Sequence, residues 1–147
     1  MPRDQRAAAL LAGAWVGLML CIGLLAAPTA FDVLPREMAG RVVARLFAGE
    51  AYAALVLCAV LFVIARRRSA RRAAAGTGSV MSAELLLVMG ALFCTVTGYF
   101  AIQPMMDAAR AGQGNWSFGA LHAASVVLFG LKGLVVLALA WRLTGRC

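Results

Sequence analysis

Charge is scarce in this sequence. Only 14% of its residues are Asp, Glu, Lys or Arg, whereas soluble globular domains carry about a quarter. There is one histidine, His122, and one lysine, Lys132, and the cysteines form no CxxC pair. With 63% hydrophobic residues, these shortages exclude an ordinary soluble domain and a disulfide framework. No aromatic-rich basic face is present to read bases, so the net charge of +8 does not indicate nucleic-acid binding.

The hydrophobic residues are concentrated in four long runs. These runs are residues 7–30, 47–65, 83–103 and 118–141, and about 20 apolar residues are enough for one helical crossing of a membrane. Helices are predicted because backbone groups in lipid must be paired within the segment, and the alternating pattern of a barrel strand is absent. The sequence therefore predicts an all-α integral membrane protein, a single domain of residues 1–147 folded as a four-transmembrane-helix bundle.

The first run has features of a secretory signal, because Arg3 and Arg6 precede it and "AAPTA" ends it. Its apolar stretch is longer than the roughly 7–15 residues of such signals, however, and the small residues at its end make poor cleavage pairs. We therefore expect it to be retained as a transmembrane helix.

The distribution of basic residues predicts the orientation. Four crossings put both termini and the linker at 66–82 on one side, and that side carries most of the arginines. They are Arg3, Arg6, Arg66, Arg67, Arg68, Arg71, Arg72, Arg142 and Arg146, against Arg36, Arg41, Arg45 and Arg110 on the other side. The positive-inside rule then predicts cytoplasmic termini in a bacterial inner membrane. We interpret the arginine run at 66–72 as a topology anchor beside a flexible linker.

The segments that flank the second and third runs carry helix signals of their own. Pro35 suits a first helical turn, and Met38, Val42 and Leu46 follow at helical spacing. We expect an amphipathic extension on the outer membrane surface that leads into the second crossing. After the third run, Pro104 predicts the end of the helix and the start of a loop at 104–117.

Small residues recur at helical spacing in three of the runs, and they predict close packing in a compact bundle. The three stripes are Gly13 with Gly17, then Gly90 with Cys94 and Gly98, and finally Gly119 with Ala123.

Polar residues inside the runs predict a candidate site, because such groups are costly in lipid and usually face protein. Those near the outer face are Arg45, Glu50, Tyr99, Gln103, His122 and Ser125, and we expect them to converge on one outward-facing pocket. Lys132 lies on the same face of its helix as His122 but about 15 Å deeper, at 1.5 Å per residue. Glu84 is its best acidic candidate by depth. The alternative is that His122 only bonds to a neighbouring helix and Lys132 extends its charge toward the headgroups.

Other chemistry has weaker support. Cys21, Cys58 and Cys94 lie at similar depths and could bind a soft metal, but buried cysteine is more often a small apolar filler. Triads, phosphate-binding loops, HExxH and dinucleotide fingerprints are absent. Nothing in the sequence calls for an enzyme or a cofactor.

An ordered set of motifs resembles a known family. The motifs are "AWVGLML" with Trp15 and Gly17, "AAPTAF" with Pro28 and Phe31, "AGRVVARLF" with Gly40, Arg45 and Phe47, and "FGALHAASVVLFGLK" with His122 and Ser125. Together they resemble the bacterial domain of unknown function 4149, which is similar to transmembrane protein 205 of eukaryotes. The resemblance runs from about Ala9 to Arg142 and implies a four-helix membrane bundle. Eukaryotic members are associated with resistance to metal-containing drugs. A weaker similarity is to the copper-resistance membrane domain.

Three functions remain open from the sequence. The first is a pocket that binds or moves a small solute or a metal species, within a homo-oligomer if four helices leave too little room for a pathway. The second is a non-transporting membrane scaffold whose polar residues lock the helices together. The third is a copper-resistance-like or redox membrane domain. Membrane lipids are the partners that all three share.

Overall fold

Four long helical spans make up nearly all of the part of the chain that the computed structural model describes, residues 3–145. Span 1 is Arg3–Val33, span 2 is Arg36–Ala74, span 3 is Ala83–Arg110 and span 4 is Phe118–Thr144. Each is long and apolar enough to cross a membrane, and no strand occurs among these residues. The prediction of an all-α bundle with four crossings is therefore confirmed.

Two of the spans contain a π-helical segment, and each segment lies just before a proline. Span 1 consists of α1 (Arg3–Leu20), the first π segment (Cys21–Ala26) and α2 (Ala27–Val33), while span 2 is the single helix α3 (Arg36–Ala74). Span 3 consists of α4 (Ala83–Thr95), the second π segment (Val96–Ala101) and α5 (Ile102–Arg110), and span 4 is α6 (Phe118–Thr144). A proline removes one helical hydrogen bond and its ring crowds the carbonyl four residues earlier. The wider π turn relieves this crowding, so the spans continue through Pro28 and Pro104.

Span 3 therefore extends further than predicted. The helix does not stop at Pro104 but continues to Arg110, which leaves 111–117 as the loop to span 4. The sequence prediction was wrong because it treated proline as a terminator and did not allow for the π segment before it.

Span 2 is longer than its apolar run at both ends. The extension that leads into the second crossing is confirmed as the first turns of α3, which begins at Arg36. At its other end α3 continues to Ala74, so only residues 75–82 of the predicted linker lie outside the helix. At 1.5 Å per residue the 39 residues of α3 extend about 58 Å, nearly twice the ~30 Å thickness of the hydrocarbon core.

The core of the bundle combines small and large apolar side chains from all four spans. Its members are Ala8, Ala12, Trp15, Met19, Ala54, Cys58, Leu61, Val88, Ala91, Val136, Leu139 and Leu143. Small residues let the helix axes approach closely, which favours association where lipid removes the usual hydrophobic driving force. Trp15 is the largest of these side chains, and it is 1% exposed.

The predicted small-residue stripes behave differently from one another. In the third span, a Cβ added at Gly90 would lie 3.7 Å from Val135, and one at Gly98 would lie 3.2 Å from Leu128. This stripe does pack against span 4. In contrast, nothing lies within 4 Å of a Cβ added at Gly13, Gly17 or Gly119, so the prediction that all three stripes pack within the bundle was wrong.

Polar contacts join all four spans at the end of the bundle that carries most of the arginines, which we call the arginine-rich end. Gln5 donates from Nε2 to the carbonyl of Leu143 at 2.8 Å and accepts from Arg68 at 3.1 Å. Ion pairs join Arg71 to Asp4 at 3.4 Å and Arg72 to Glu84 at 3.8 Å. The first and last described residues therefore lie at the same end, as four crossings require.

Replacing Gly98 by valine should destabilise the bundle. The new Cβ would meet the Leu128 Cβ, which lies too close to the backbone to move aside, and overpacking of this kind costs about 1–3 kcal/mol. Gly17→Val is the matched control because its position is exposed and open. Unfolding of both variants by SDS in mixed micelles would measure the free energies. Equal stability of the two would contradict the packing described here.

Candidate functional site

An ion pair between span 2 and span 4 lies in the interior of the bundle. The Lys132 Nζ lies 2.6 Å from the Glu50 Oε2. The other carboxylate oxygen, Oε1, accepts a hydrogen bond of 3.0 Å from the indole Nε1 of Trp15 on span 1. Glu50 and Lys132 are only 3% and 4% exposed. We call Trp15, Glu50 and Lys132 the central site.

The central site lies near the middle of the spans. Lys132 is about 21 Å from the first residue of α6 and about 18 Å from its last, at 1.5 Å per residue. Glu50 is about 21 Å into α3 by the same measure. Neither charged group can therefore extend to the water or the headgroups at the end of its helix.

Each charged group at this depth has a compensating partner. A lone carboxylate or ammonium is very costly in a low-dielectric interior, and the pair brings the net charge of the site to zero. The indole N–H adds a charge-assisted hydrogen bond, which is stronger than one between neutral groups. The Lys132 ammonium also lies 5.1 Å from the centre of the Phe129 ring, within the range of a cation–π interaction.

Aromatic side chains cover the central site on the side away from the arginine-rich end. Phe129 and Phe47 lie about one turn before Lys132 and Glu50 in two spans that run in the same direction. Their rings make an edge-to-face contact with centroids 5.0 Å apart. Gly23, in the first π segment, approaches Phe129 closely, since a Cβ added there would lie 3.4 Å from the ring. The pair is thus closed from this direction.

The partner predicted for Lys132 was wrong. Lys132 pairs with Glu50, whereas Glu84 is placed at the arginine-rich end and pairs with Arg72 at 3.8 Å. The prediction measured the depth of Glu50 from the start of the apolar run. The helix α3 begins at Arg36, eleven residues before that run. Glu50 therefore lies deeper in the bundle than its position in the run indicated.

The single outward-facing pocket predicted around His122 is not formed with Glu50. His122 is exposed and stacks on Phe118, with ring centroids 5.8 Å apart. It is about 15 Å along α6 from Lys132, the residue that binds Glu50. The two ionisable groups of α6 therefore belong to different environments, and Glu50 belongs with the deeper one.

The remaining predicted site residues lie closer to the outer end of spans 3 and 4 or on the surface. Ser125 donates to the carbonyl of Gly98 at 3.5 Å, the long limit of a hydrogen bond. Tyr99 is half-buried and makes an edge contact with Phe100, at 5.1 Å between centroids. Gln103 is half-buried and Arg45 is exposed. A ligand-binding role for these four residues stays a prediction.

The three cysteines in the described part of the chain do not assemble a metal site. Within residues 3–145 no group of three His, Cys, Asp or Glu side chains could hold a metal ion. Cys21 is exposed, while Cys58 and Cys94 are buried, and Cys58 contributes a weak hydrogen bond to the Val88 carbonyl at 3.9 Å. Cys21 therefore lies in different surroundings from the two buried thiols.

Trp15 is the site residue that reasoning from residue types missed. The position of Trp15 in the sequence did indicate an unusual role. Tryptophan in membrane proteins concentrates at the interfaces, whereas Trp15 lies well inside an apolar run. A buried indole N–H usually finds an acceptor, and the acidic residues inside the predicted runs, Glu50 and Glu84, were the candidates for it.

The fold and the central site define a multi-pass, four-helix membrane protein with a neutralised charge pair in its interior. The sequence matches the family described as "Domain of unknown function (DUF4149)" over residues 10–115, and the chain belongs to that family. The matched stretch includes Trp15 and Glu50 and ends before α6, which carries Lys132. Comparison with curated proteins and with solved structures gave no match.

Removing one member of the ion pair should cost far more stability than removing both. Lys132→Met leaves the carboxylate buried without a counter-charge, for which about 3–5 kcal/mol of destabilisation is expected. The double variant Glu50→Gln with Lys132→Met removes both charges and should recover most of that loss. SDS unfolding in mixed micelles of the wild type, the two single variants and the double variant would give the coupling energy between the two charges.

The matched control for this cycle is Glu37→Gln. Glu37 forms an exposed ion pair with Arg41 at 3.7 Å, and exposed pairs contribute little. If Lys132→Met and Glu37→Gln had the same free energy of unfolding, the burial of the Glu50–Lys132 pair would be contradicted.

Proposed function

We propose that the protein binds a small ionic solute within the membrane and moves it across, with Glu50 and Lys132 as the binding groups. The observation that supports this proposal is the burial of two opposite charges at the middle of the bundle. Stability alone is a poor reason to keep such a pair, because apolar residues of similar volume often serve a folded protein as well or better. Ionisable groups within membrane spans commonly mark the paths of ions and substrates.

In this proposal the structure represents the closed, neutral state of the site. Both carboxylate oxygens of Glu50 already have a partner, and in this proposal an arriving ion replaces one of them. The Phe47–Phe129 contact must separate to give access from the end opposite the arginines. Ser125, Tyr99 and Gln103 lie toward that end and would be polar groups that an arriving solute meets on its way to the central site.

The proposal extends to the orientation of the protein. We propose a bacterial inner membrane with the arginine-rich end in the cytoplasm, because arginine and lysine are retained on that side. The solute pathway would then open through Phe47 and Phe129 to the periplasmic side.

A non-transporting scaffold is the second candidate, and a specific observation favours it. The central site ties spans 1, 2 and 4 together, and Gln5 ties the start of span 1 to spans 2 and 4. Polar contacts of this kind can serve only to specify how helices associate.

Flux through proteoliposomes should separate the two candidates. We expect the wild type to move at least one of a panel of isotopically labelled ions, namely sodium, lithium, rubidium, choline, chloride and phosphate, faster than protein-free vesicles do. Glu50→Gln with Lys132→Met should lower that flux by roughly tenfold or more, the factor that about 1.4 kcal/mol of lost binding energy produces.

The double variant is the suitable test because it is expected to stay folded, and Glu37→Gln is its control. Wild-type flux no faster than that of empty vesicles, for every ion in the panel, would favour the scaffold. The flux of His122→Ala would show separately whether the outer end of span 4 contributes to ion movement.

A further inference from the structure

We infer that the central site exchanges one monovalent cation for one proton: the cation binds to Glu50 in place of Lys132, and Lys132 then releases its proton. This inference rests on the proposed function and identifies the class of solute. It follows from the charge of the site, from the contacts of its two ionisable groups, and from their depth.

The first step concerns the net charge. Glu50 and Lys132 together are neutral, and they are 3% and 4% exposed at the middle of the spans. A cation that joined an intact pair would leave one uncompensated positive charge in a low-dielectric region, which is very costly. A proton must therefore leave whenever a monovalent cation enters.

The second step identifies the group that keeps its charge. Trp15 donates to the Glu50 Oε1 and the ammonium of Lys132 binds the other oxygen, Oε2. When Lys132 moves away, the indole N–H still stabilises the carboxylate form. Of its two contacts, with Glu50 and with the Phe129 ring 5.1 Å away in the paired state, Lys132 would then have lost the one with a counter-charge. A buried ammonium without a counter-ion is very costly. Glu50 is thus the cation site, and Lys132 is the proton donor.

The other groups around the pair do not supply a competing charge. Span 1 contributes the indole of Trp15 and span 4 the ring of Phe129, neither of which titrates. The titratable neighbours that interact with the charge of Lys132 are the thiols of Cys58 on span 2 and Cys94 on span 3. Both are neutral in their protonated form. The two acidic side chains of span 3 lie near its ends, where Glu84 is paired with Arg72 and Asp107 with Arg110.

The exchange balances in charge and in atoms. The closed site is a carboxylate beside an ammonium, and one monovalent cation arrives. The products are the carboxylate with its bound cation, a neutral amine, and one proton released to the water on the side that the site then faces. No oxidant, reductant or further reactant is needed.

Other solutes fit the site less well. A divalent cation would leave an extra positive charge after Lys132 had lost its proton. An anion would bind to Lys132 and require Glu50 to take up a proton, and the Trp15 N–H would then face a carboxylic acid, which is a weaker acceptor than a carboxylate. The geometry therefore favours a monovalent cation.

The test measures stoichiometry and charge in proteoliposomes that contain a pH-sensitive dye. Sodium, lithium, rubidium or choline is added outside, and tracer uptake and internal pH are followed together with and without a thiocyanate diffusion potential. We expect one cation to enter for each proton that leaves, so that the interior becomes alkaline at a rate that the imposed potential does not change.

The alternative results fall into two groups. Movement of an anion, or of a cation without a counter-moving proton or with a rate that follows the potential, would overturn the exchange and leave the proposed function standing. Movement of no ion in the panel would overturn the proposed function itself.

Lys132→Arg is the decisive variant. Arginine keeps a positive charge and hydrogen-bond donors for Glu50, but its guanidinium does not release a proton. We expect the variant to remain folded, judged by thermal unfolding, and to lose the exchange of cations for protons. Exchange at the wild-type rate in folded Lys132→Arg would overturn the inference. If the variant does not fold, the stoichiometry of the wild type decides alone.

Discussion

An ionised carboxylate in the middle of a membrane bundle requires a counter-charge within hydrogen-bond distance, and this requirement determines how three of the four spans meet. Glu50 obtains its counter-charge from Lys132 and a further donor from Trp15. Because each partner belongs to a different span, the rotation and depth of spans 1, 2 and 4 are set together. A shift of one helical turn in any of them would leave a buried charge without its partner.

The packing around the central site depends on small residues and on two helices that continue through a proline. Alanines and glycines allow close approach of the spans, and the two π segments allow helices to pass through Pro28 and Pro104. The first π segment places Gly23 against Phe129, and the second places Gly98 against Leu128. Both π segments therefore contact span 4 about one turn from Lys132. Such segments are frequent at functional sites in proteins.

The sequence predicted the fold better than the site, and the reasons are physical. Hydropathy and length are local properties, so the four crossings could be read directly. The end of span 3 could not, because the effect of Pro104 depends on the backbone turn before it. The partner of Lys132 was also misplaced, since the choice between Glu84 and Glu50 required the depth of α3 relative to α6.

The amino-acid sequence by itself determined the number of spans and their helical state, because backbone groups in lipid must be paired within each segment. It also determined that Glu50 and Lys132 would need partners. Only the tertiary structure decided that they partner each other, across 82 positions of the chain, and that His122 does not join them. That decision depends on where each helix begins and how it is rotated, which are properties of the assembled bundle and of no single segment.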